Sequence, residues 1–482
     1  MVSLPLNPIR LLIQWIGIGL ARLGLIDADR ARHTADLAWP RIVTGLARMS
    51  KSAADVAMVG IAVGPAAIAG VGFATPFWGL AFAIGAGVAG GTIALVSQRY
   101  GADAHGALGQ AVRSSALLVV VVTVPLSACF WLFSPQLIGL ISSDPTAIVL
   151  GATYLQLLAL GIPFAGLNLI ASRTLVGADD AWTPMVIRAS GAVVNVVLNA
   201  ILIFGLGLGV MGAAIGTVTA NVVITALFVV GLTRGSMPIV GDVPVTISFT
   251  GPYIHTADVR DLLTIGTPVV GTKLAWTAGA FPMLAIVDLF GTTVVAAFIV
   301  AHRVRDLMKT PGWGFGLASS SLVGQQLGTG DERLAEIYGQ EIIRFGVTVY
   351  FLLALVGFVF AEPIAIAFVG DATDPSVPVA VTLIYAGCVG NVFSGIARVS
   401  SGPLEAAGDT RWPFYGHFLG MYVFAIPIAY LGAVTPLALA GLWLAIIAED
   451  LLPAAVTSYR FHTDSWKRVS RSYRPGAASG DD

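Results

Sequence analysis

Apolar stretches of bilayer-crossing length follow one another along the chain, and Lys and Arg fall on only one set of the connections between them. A spanning helix needs roughly 20 predominantly apolar residues. Spans at 38–60, 66–97, 112–133, 147–173, 184–204, 211–232, 262–286, 292–324, 343–361, 377–400, 413–432 and 437–458 satisfy this. They leave connections 61–65, 134–146, 205–210, 287–291, 362–376 and 433–436 without a single Lys or Arg. The other connections hold or border Arg99, Arg113, Arg173, Arg188, Arg234, Arg260, Arg333, Arg344, Arg398 and Arg411, and the tail adds Arg460, Lys467, Arg468, Arg471 and Arg474. Basic residues mark the cytoplasmic side, so both termini are expected there. A miscounted helix would scramble the alternation, which therefore tests count and orientation together.

Only 11% of the residues are charged and 56% are hydrophobic, against about 25% charged in a soluble chain. A net charge of −1 points to no nucleic acid or other strongly charged partner. Cys129 and Cys388 both lie in apolar stretches, which indicates core fillers and no disulfide framework. Residues 8–26 read as an amphipathic helix on the cytoplasmic surface, with Arg10 and Arg22 at its ends. No small-residue cleavage site follows them, as a signal peptide would require. The expected organisation is an N-terminal segment 1–36, a first lobe 37–232, a polar cytoplasmic linker 233–261, a second lobe 262–460 and a cytoplasmic tail 461–482, with 470–482 disordered.

The halves repeat. LVSQRYGA at 95–102 recurs as LVGQQLGT at 322–329, and LVGADDAWTP at 175–184 as LEAAGDTRWP at 404–413. Pro40, opening the first span, matches Pro268, opening the seventh, and Gly212 matches Gly441. The offsets are all 227 to 229. Six spans per half is an even number, so both halves enter the membrane in the same direction. The expected fold is an all-α polytopic membrane protein of twelve helices in two six-helix bundles, related by a pseudo-two-fold axis along the membrane normal. Such parallel repeats are chiefly a transporter feature and suit alternating access.

Ionisable residues inside a span are costly and are functional candidates by default. Arg48, Lys51 and Asp55 share one face of the first span at spacings of three and four, and Asp55 is the only acid within the first six spans as drawn. A lone carboxylate in a half-dry cavity can exchange a proton, or anchor Na+ where neutral oxygens complete the shell. Asn195 and Asn199, one turn apart in the fifth span, and Thr217 in the sixth offer such oxygens. The competing reading is a static Lys51–Asp55 pair that stiffens the helix. Pro40 either bends the first helix or starts it.

The chain resembles the multidrug and toxic compound extrusion (MATE) family over roughly 36–460. Pro40 followed by DVAMVGIAVGPAAIAGVG (55–72), GAGVAGGTIALVSQRYGA (85–102), LVGADD (175–180), GLGLGVMGAAIGT (205–217), LVGQQLG (322–328) and AAGDTRWP (406–413) carry the likeness. It implies export of amphipathic, often cationic, organic compounds in exchange for inward H+ or Na+, by a monomer in a prokaryotic plasma membrane. No cofactor is implied beyond that coupling ion. It makes Asp55, Asn195, Asn199 and Thr217 the cation site of archaeal-type members, and gives Pro40 a bend that accompanies loading. Position 199, commonly an acid in those relatives, is Asn here.

A second branch of the family uses an acid eight residues after the seventh-helix proline. That position is Trp276, and Ser394 stands near the place of its tenth-helix acid. The second half instead carries His302, Arg303, Arg305, Asp306, Lys309 and Lys273, with Glu449 and Asp450. These read as structural ion pairs, Glu449 and Asp450 with Lys273, and Asp306 with Arg303 or Lys309. His302 reads as packed and hydrogen-bonded, and Asp450 is the candidate second proton site. Arg303, Arg305, Lys309 and Lys273, with Arg48 and Lys51, also fit a lipid or oligosaccharide-lipid flippase of the same superfamily. No metal-ligand cluster or nucleophile arrangement points to an enzyme, and the spaced Asp-rich motifs of an intramembrane prenyltransferase are missing.

Orientation is open to a direct check in a C129A/C388A background. A membrane-impermeant maleimide should label D371C in intact cells and D331C only after permeabilisation; the reverse pattern would invert the topology.

Overall fold

A computed structural model describes residues 7–474, apart from 143, 249 and 370. The first part of the chain folds as α1 Pro8–Arg22, α2 Ala28–Val63, α3 Pro65–Gly101, α4 His105–Leu132, α5 Ser134–Gly139, α6 Pro145–Ala159, α7 Ile162–Gly177, α8 Trp182–Ala200 and α9 Gly209–Arg234. A short antiparallel pair, β1 Ser236–Met237 and β2 Gly241–Asp242, follows. The second part is α10 Thr256–Asp288, α11 Thr292–Met308, α12 Thr310–Thr329, α13 Glu332–Val359, α14 Ala361–Val369, α15 Ser376–Ala406, α16 Arg411–Phe418, α17 Ile426–Val434, α18 Leu439–His462 and α19 Ser465–Arg471. Backbone polar groups have no water to bond in hydrocarbon, so helices are the economical way to cross it.

Among the described residues nine helical segments are long and apolar enough to span, and a tenth if α6 and α7, bent by 49° at their junction, count as one. The two expected spans outside that count are those richest in charge. They are α2 with Arg41, Arg48, Lys51 and Asp55, and the α11–α12 run with Arg303, Arg305, Asp306 and Lys309, which breaks at Lys309.

The repeat is written into the turns. Residues in the left-handed region recur at the sequence offset of 227 to 229: Gly64 (φ 104°) with Gly291 (φ 94°), Asp103 (φ 56°) with Gly330 (φ 88°), Asp179 (φ 70°) with Gly408 (φ 79°), and Gly209 (φ 51°) with Ala438 (φ 45°). Such a backbone costs a non-glycine residue free energy, so three side-chain-bearing members mark turns held by their surroundings. Pro40 and Pro268 also correspond, each twelve residues inside its helix. Pro40 therefore does not start α2, and Pro268 does not start α10. Both helices begin earlier because charged residues end an apolar stretch without ending a helix.

The described residues divide into two compact units, Val43–Val270 and a second made of 7–42 together with 271–474. These boundaries differ from 36/37 and 261/262 for a packing reason. The start of α2 belongs with α12, where Gly314 leaves space for the Ala38 carbonyl and Ile42. The start of α10 belongs with α3, where Gly87 meets Gly266 and Val270, and Gly91 meets Leu262. Small residues let helix backbones approach closely in a membrane. In the first unit Gly70 and Gly151 bring α3 against α6: a Cβ on Gly70 would lie 2.7 Å from the Gly151 nitrogen.

The segments expected to be peripheral are docked. Of the linker, Val243, Val245 and Ile247 are buried against α4, α8 and α9, and Arg113 donates to the Ser248 carbonyl at 2.8 Å. Asp258 is buried in α10 and pairs with Arg99 at 2.5 Å. The tail is ordered through residue 474: Trp466 is fully buried beside Phe461, and Arg471 grips Glu332 with two 2.8 Å bonds. That guanidinium holds the Glu332 carboxyl below the usual range. The rest of the expected disordered tail, 475–482, lies outside the described residues. α1 buries Ile13, Gly17 and Leu20, with Gly17 against Phe345 of α13, and exposes Leu12 and Trp15. Cys388 is buried as expected, whereas Cys129 is exposed and fills no core.

Removing one partner of a buried ion pair strands the other charge, at a cost of about 3–5 kcal/mol. Asp258→Ala should therefore lower the melting temperature in detergent, and adding Arg99→Met should recover part of the loss. An unchanged melting curve for Asp258→Ala would show that the pair contributes nothing.

Candidate cation-binding site

α2 presents Lys51 and Asp55 one helical turn apart, and their side chains meet: Lys51 Nζ lies 2.8 Å from Asp55 Oδ2. Asp55 is only 8% exposed. Its other oxygen, Oδ1, accepts a 2.8 Å hydrogen bond from Asn199 Nδ2 on α8. Asn199 Nδ2 also reaches Asn195 Oδ1 at 3.4 Å, and Asn195 Nδ2 donates to Thr217 Oγ1 on α9 at 3.2 Å. The structure thus brings together all four residues singled out as candidate cation ligands, with Lys51 beside them. Asn195 and Asn199 are completely buried, and a buried amide is tolerated when it is hydrogen-bonded. One atom departs from that rule: Asn199 Oδ1 is buried without a partner.

Packing explains the arrangement. Gly191 of α8 receives Ile224 of α9, and Gly216 of α9 lies directly under Asn199, where a Cβ would collide with Oδ1. The sequence reading missed the continuation of this network. Asn221 Nδ2 donates to the Thr217 carbonyl at 2.9 Å, Asn168 Nδ2 to Asn221 Oδ1 at 3.2 Å, and Thr225 Oγ1 to Asn168 Oδ1 at 2.8 Å. A signal was present, because Thr217, Asn221 and Thr225 recur every four residues in a largely apolar span and so share a face.

The second unit has a different cluster. Arg305 of α11, 3% exposed, donates through one Nη2 to Glu449 Oε2 at 2.9 Å and to Asp450 Oδ2 at 2.8 Å. Lys309 Nζ adds a 3.3 Å contact to Asp450 Oδ1. The partner expected for the two acids was Lys273. The partner found is Arg305, because Gly387 of α15 leaves room for its side chain to pack. Asp306 faces His302 at 3.9 Å, not Arg303 or Lys309. His302 is packed as expected but not hydrogen-bonded: its Nδ1 is buried without a partner. The ring lies between Phe298 and Trp276, with centroids 6.0 and 6.5 Å away and near-parallel planes. Trp276 thus serves as a stacking surface. Asn391 is fully buried with both amide atoms unpartnered.

Two repeats of membrane helices enclosing buried ionisable groups define a polytopic membrane transporter. The MatE family model matches the chain twice, at residues 40–201 and 268–431, starting at the two corresponding prolines; the chain belongs to this family. It is similar to a probable multidrug resistance protein NorM of Bradyrhizobium diazoefficiens, 26% identical over 90% of this chain and 93% of that one. It is also similar to the multidrug resistance protein MdtK of Pectobacterium atrosepticum, 26% identical over 88% of this chain and 93% of that one. The fold matches a crystal structure of a MATE protein in a bent conformation, with a TM-score of 0.83 at 22% identity over 94% of this chain and 99% of that one.

Overfilling a packed site costs about 1–3 kcal/mol. Gly216→Ala should therefore lower the melting temperature, whereas Gly19→Ala, with nothing within 4 Å of the new methyl, should not. Equal melting temperatures for the two variants would show that Gly216 gives Asn199 no needed space.

Proposed function

We propose that the protein exports amphipathic, often cationic, organic compounds across the plasma membrane in exchange for an inward-moving cation, H+ or Na+, with Asp55 as the coupling carboxylate. The observation that carries this reading is the buried chain Lys51–Asp55–Asn199–Asn195–Thr217. It supplies one acid and several polar groups on three helices, in a bundle otherwise almost free of acids. The multidrug resistance role named for its relatives supports the substrate class.

In this reading the two repeats expose the transport path alternately, and both termini stay in the cytoplasm of a monomeric carrier. When Asp55 takes up its cation, Lys51 loses its counter-charge and Asn199 its charged acceptor. The side chains binding α2 to α8 then rearrange. Pro40 cannot donate the backbone bond to residue 36, so α2 has an interior weak point at which to bend in response.

A flippase for anionic lipid headgroups would want unpaired cations. Lys51, Arg305 and Lys309 each have carboxylate partners, which favours the exporter. Asp55→Asn should abolish gradient-driven ethidium export while leaving the amount of protein in the membrane unchanged. Full export by that variant would remove Asp55 from the mechanism.

A further inference from the structure

We propose that the Lys51 ammonium occupies the cation position beside Asp55, so that the proton and not Na+ is the coupling ion. This rests on Asp55 being the coupling carboxylate. The donors around the site carry the argument. Asp55 Oδ2 faces Lys51 Nζ and Oδ1 faces Asn199 Nδ2, both at 2.8 Å. Asn195 Oδ1 and Thr217 Oγ1 are likewise occupied by amide donors. Of the side-chain oxygens of these four residues, Asn199 Oδ1 alone is buried and unpartnered. A hard cation is held by several oxygens at once. To receive Na+ this site would have to expel a tethered ammonium and turn an amide that Gly216 confines.

Charge leads the same way. Lys51 and Asp55 sum to zero, and position 199 brings no second acid. A bound Na+ would therefore share a single carboxylate with an ammonium already in contact with it, in surroundings where unbalanced charge is costly. A proton instead adds to Asp55 Oδ2, forming an O–H bond with no group leaving. Lys51, whose side chain is 22% exposed, then turns toward water. The other titratable or charged groups on the surrounding helices are few. Arg48, one turn before Lys51, lies over the Phe82 ring at 5.6 Å. Tyr154 of α6 is near enough to sense Asp55. Arg99 and Tyr100 on α3, Arg188 on α8 and Arg234 on α9 sit toward the other ends of their helices.

The test uses the full-length protein in proteoliposomes, reading ethidium transport under an imposed pH gradient or an imposed Na+ gradient alone. Wild type should respond to the pH gradient and not to Na+. The double variant K51Q/N199D, with the ammonium removed and a second acid supplied, should gain Na+-driven transport about tenfold above the wild-type background rate measured under the same Na+ gradient, the effect of about 1.4 kcal/mol. Na+-driven transport by wild type at the proton-driven rate would overturn the proposal and leave Asp55 in its role. Transport by D55N under either gradient would overturn the underlying reading. Should the double variant not fold, binding of radioactive Na+ to the wild-type protein decides: saturable binding lost in D55N refutes the proposal, and no saturable binding supports it.

Discussion

Hydrocarbon tolerates a charge only when a partner or water stands beside it, and the buried charges of this chain are arranged around that demand. Asp55 has Lys51 and Asn199, Asp450 has Arg305 and Lys309, and Asp258 has Arg99. Two of the helices carrying the first two groups, α2 and α11, are also those whose apolar character falls short of an ordinary span. Helix choice, glycine placement and turn geometry in each unit serve to bring these partners together. Gly216 under Asn199 and Gly387 beside Arg305 are two local devices by which packing decides which charges meet.

Backbone and side chains have diverged at different rates between the halves. The left-handed turn positions still coincide at 227 to 229 residues. At the same offset, however, Asp55 corresponds to Met283, Asn199 to Ile428 and Thr217 to Ile446. In the other direction Asp450 corresponds to Asn221, a member of the first unit's amide network. One ancestral frame has thus acquired a nearly acid-free polar chain on one side and a dense salt-bridge cluster on the other.

Much of this was legible in the sequence, for reasons that also explain what was not. Hydropathy reports where a helix meets lipid, so the twelve apolar stretches each fall on a helix or a consecutive run of helices. It does not report where a helix begins in water, and ADRARHTAD, although charged, is the first part of α2. Spacing along one helix was informative: Lys51–Asp55 and Asn195–Asn199 were recognisable as one-turn neighbours. Pairing between helices was not. Lys273 was the expected partner of Glu449 and Asp450, and only the packing of α11 and of α18 against α15 brings Arg305 to them. The buried valines and isoleucine of the linker were hidden by the polar residues around them.

The neutrality of the Lys51–Asp55 pair also bears on how the membrane voltage acts. A site that sums to zero feels almost no force from the transmembrane field, so on the proposed cycle the deprotonated form would reorient without electrical work at this point. With Asp55 protonated and Lys51 still charged, the same site carries one positive charge. An elementary charge moved across the full field is worth about 2.3 kcal/mol per 100 mV. On the proposed cycle, an interior-negative potential would assist the inward step of the protonated form, whereas on the outward step this site would add no electrical work to whatever charge the exported compound carries.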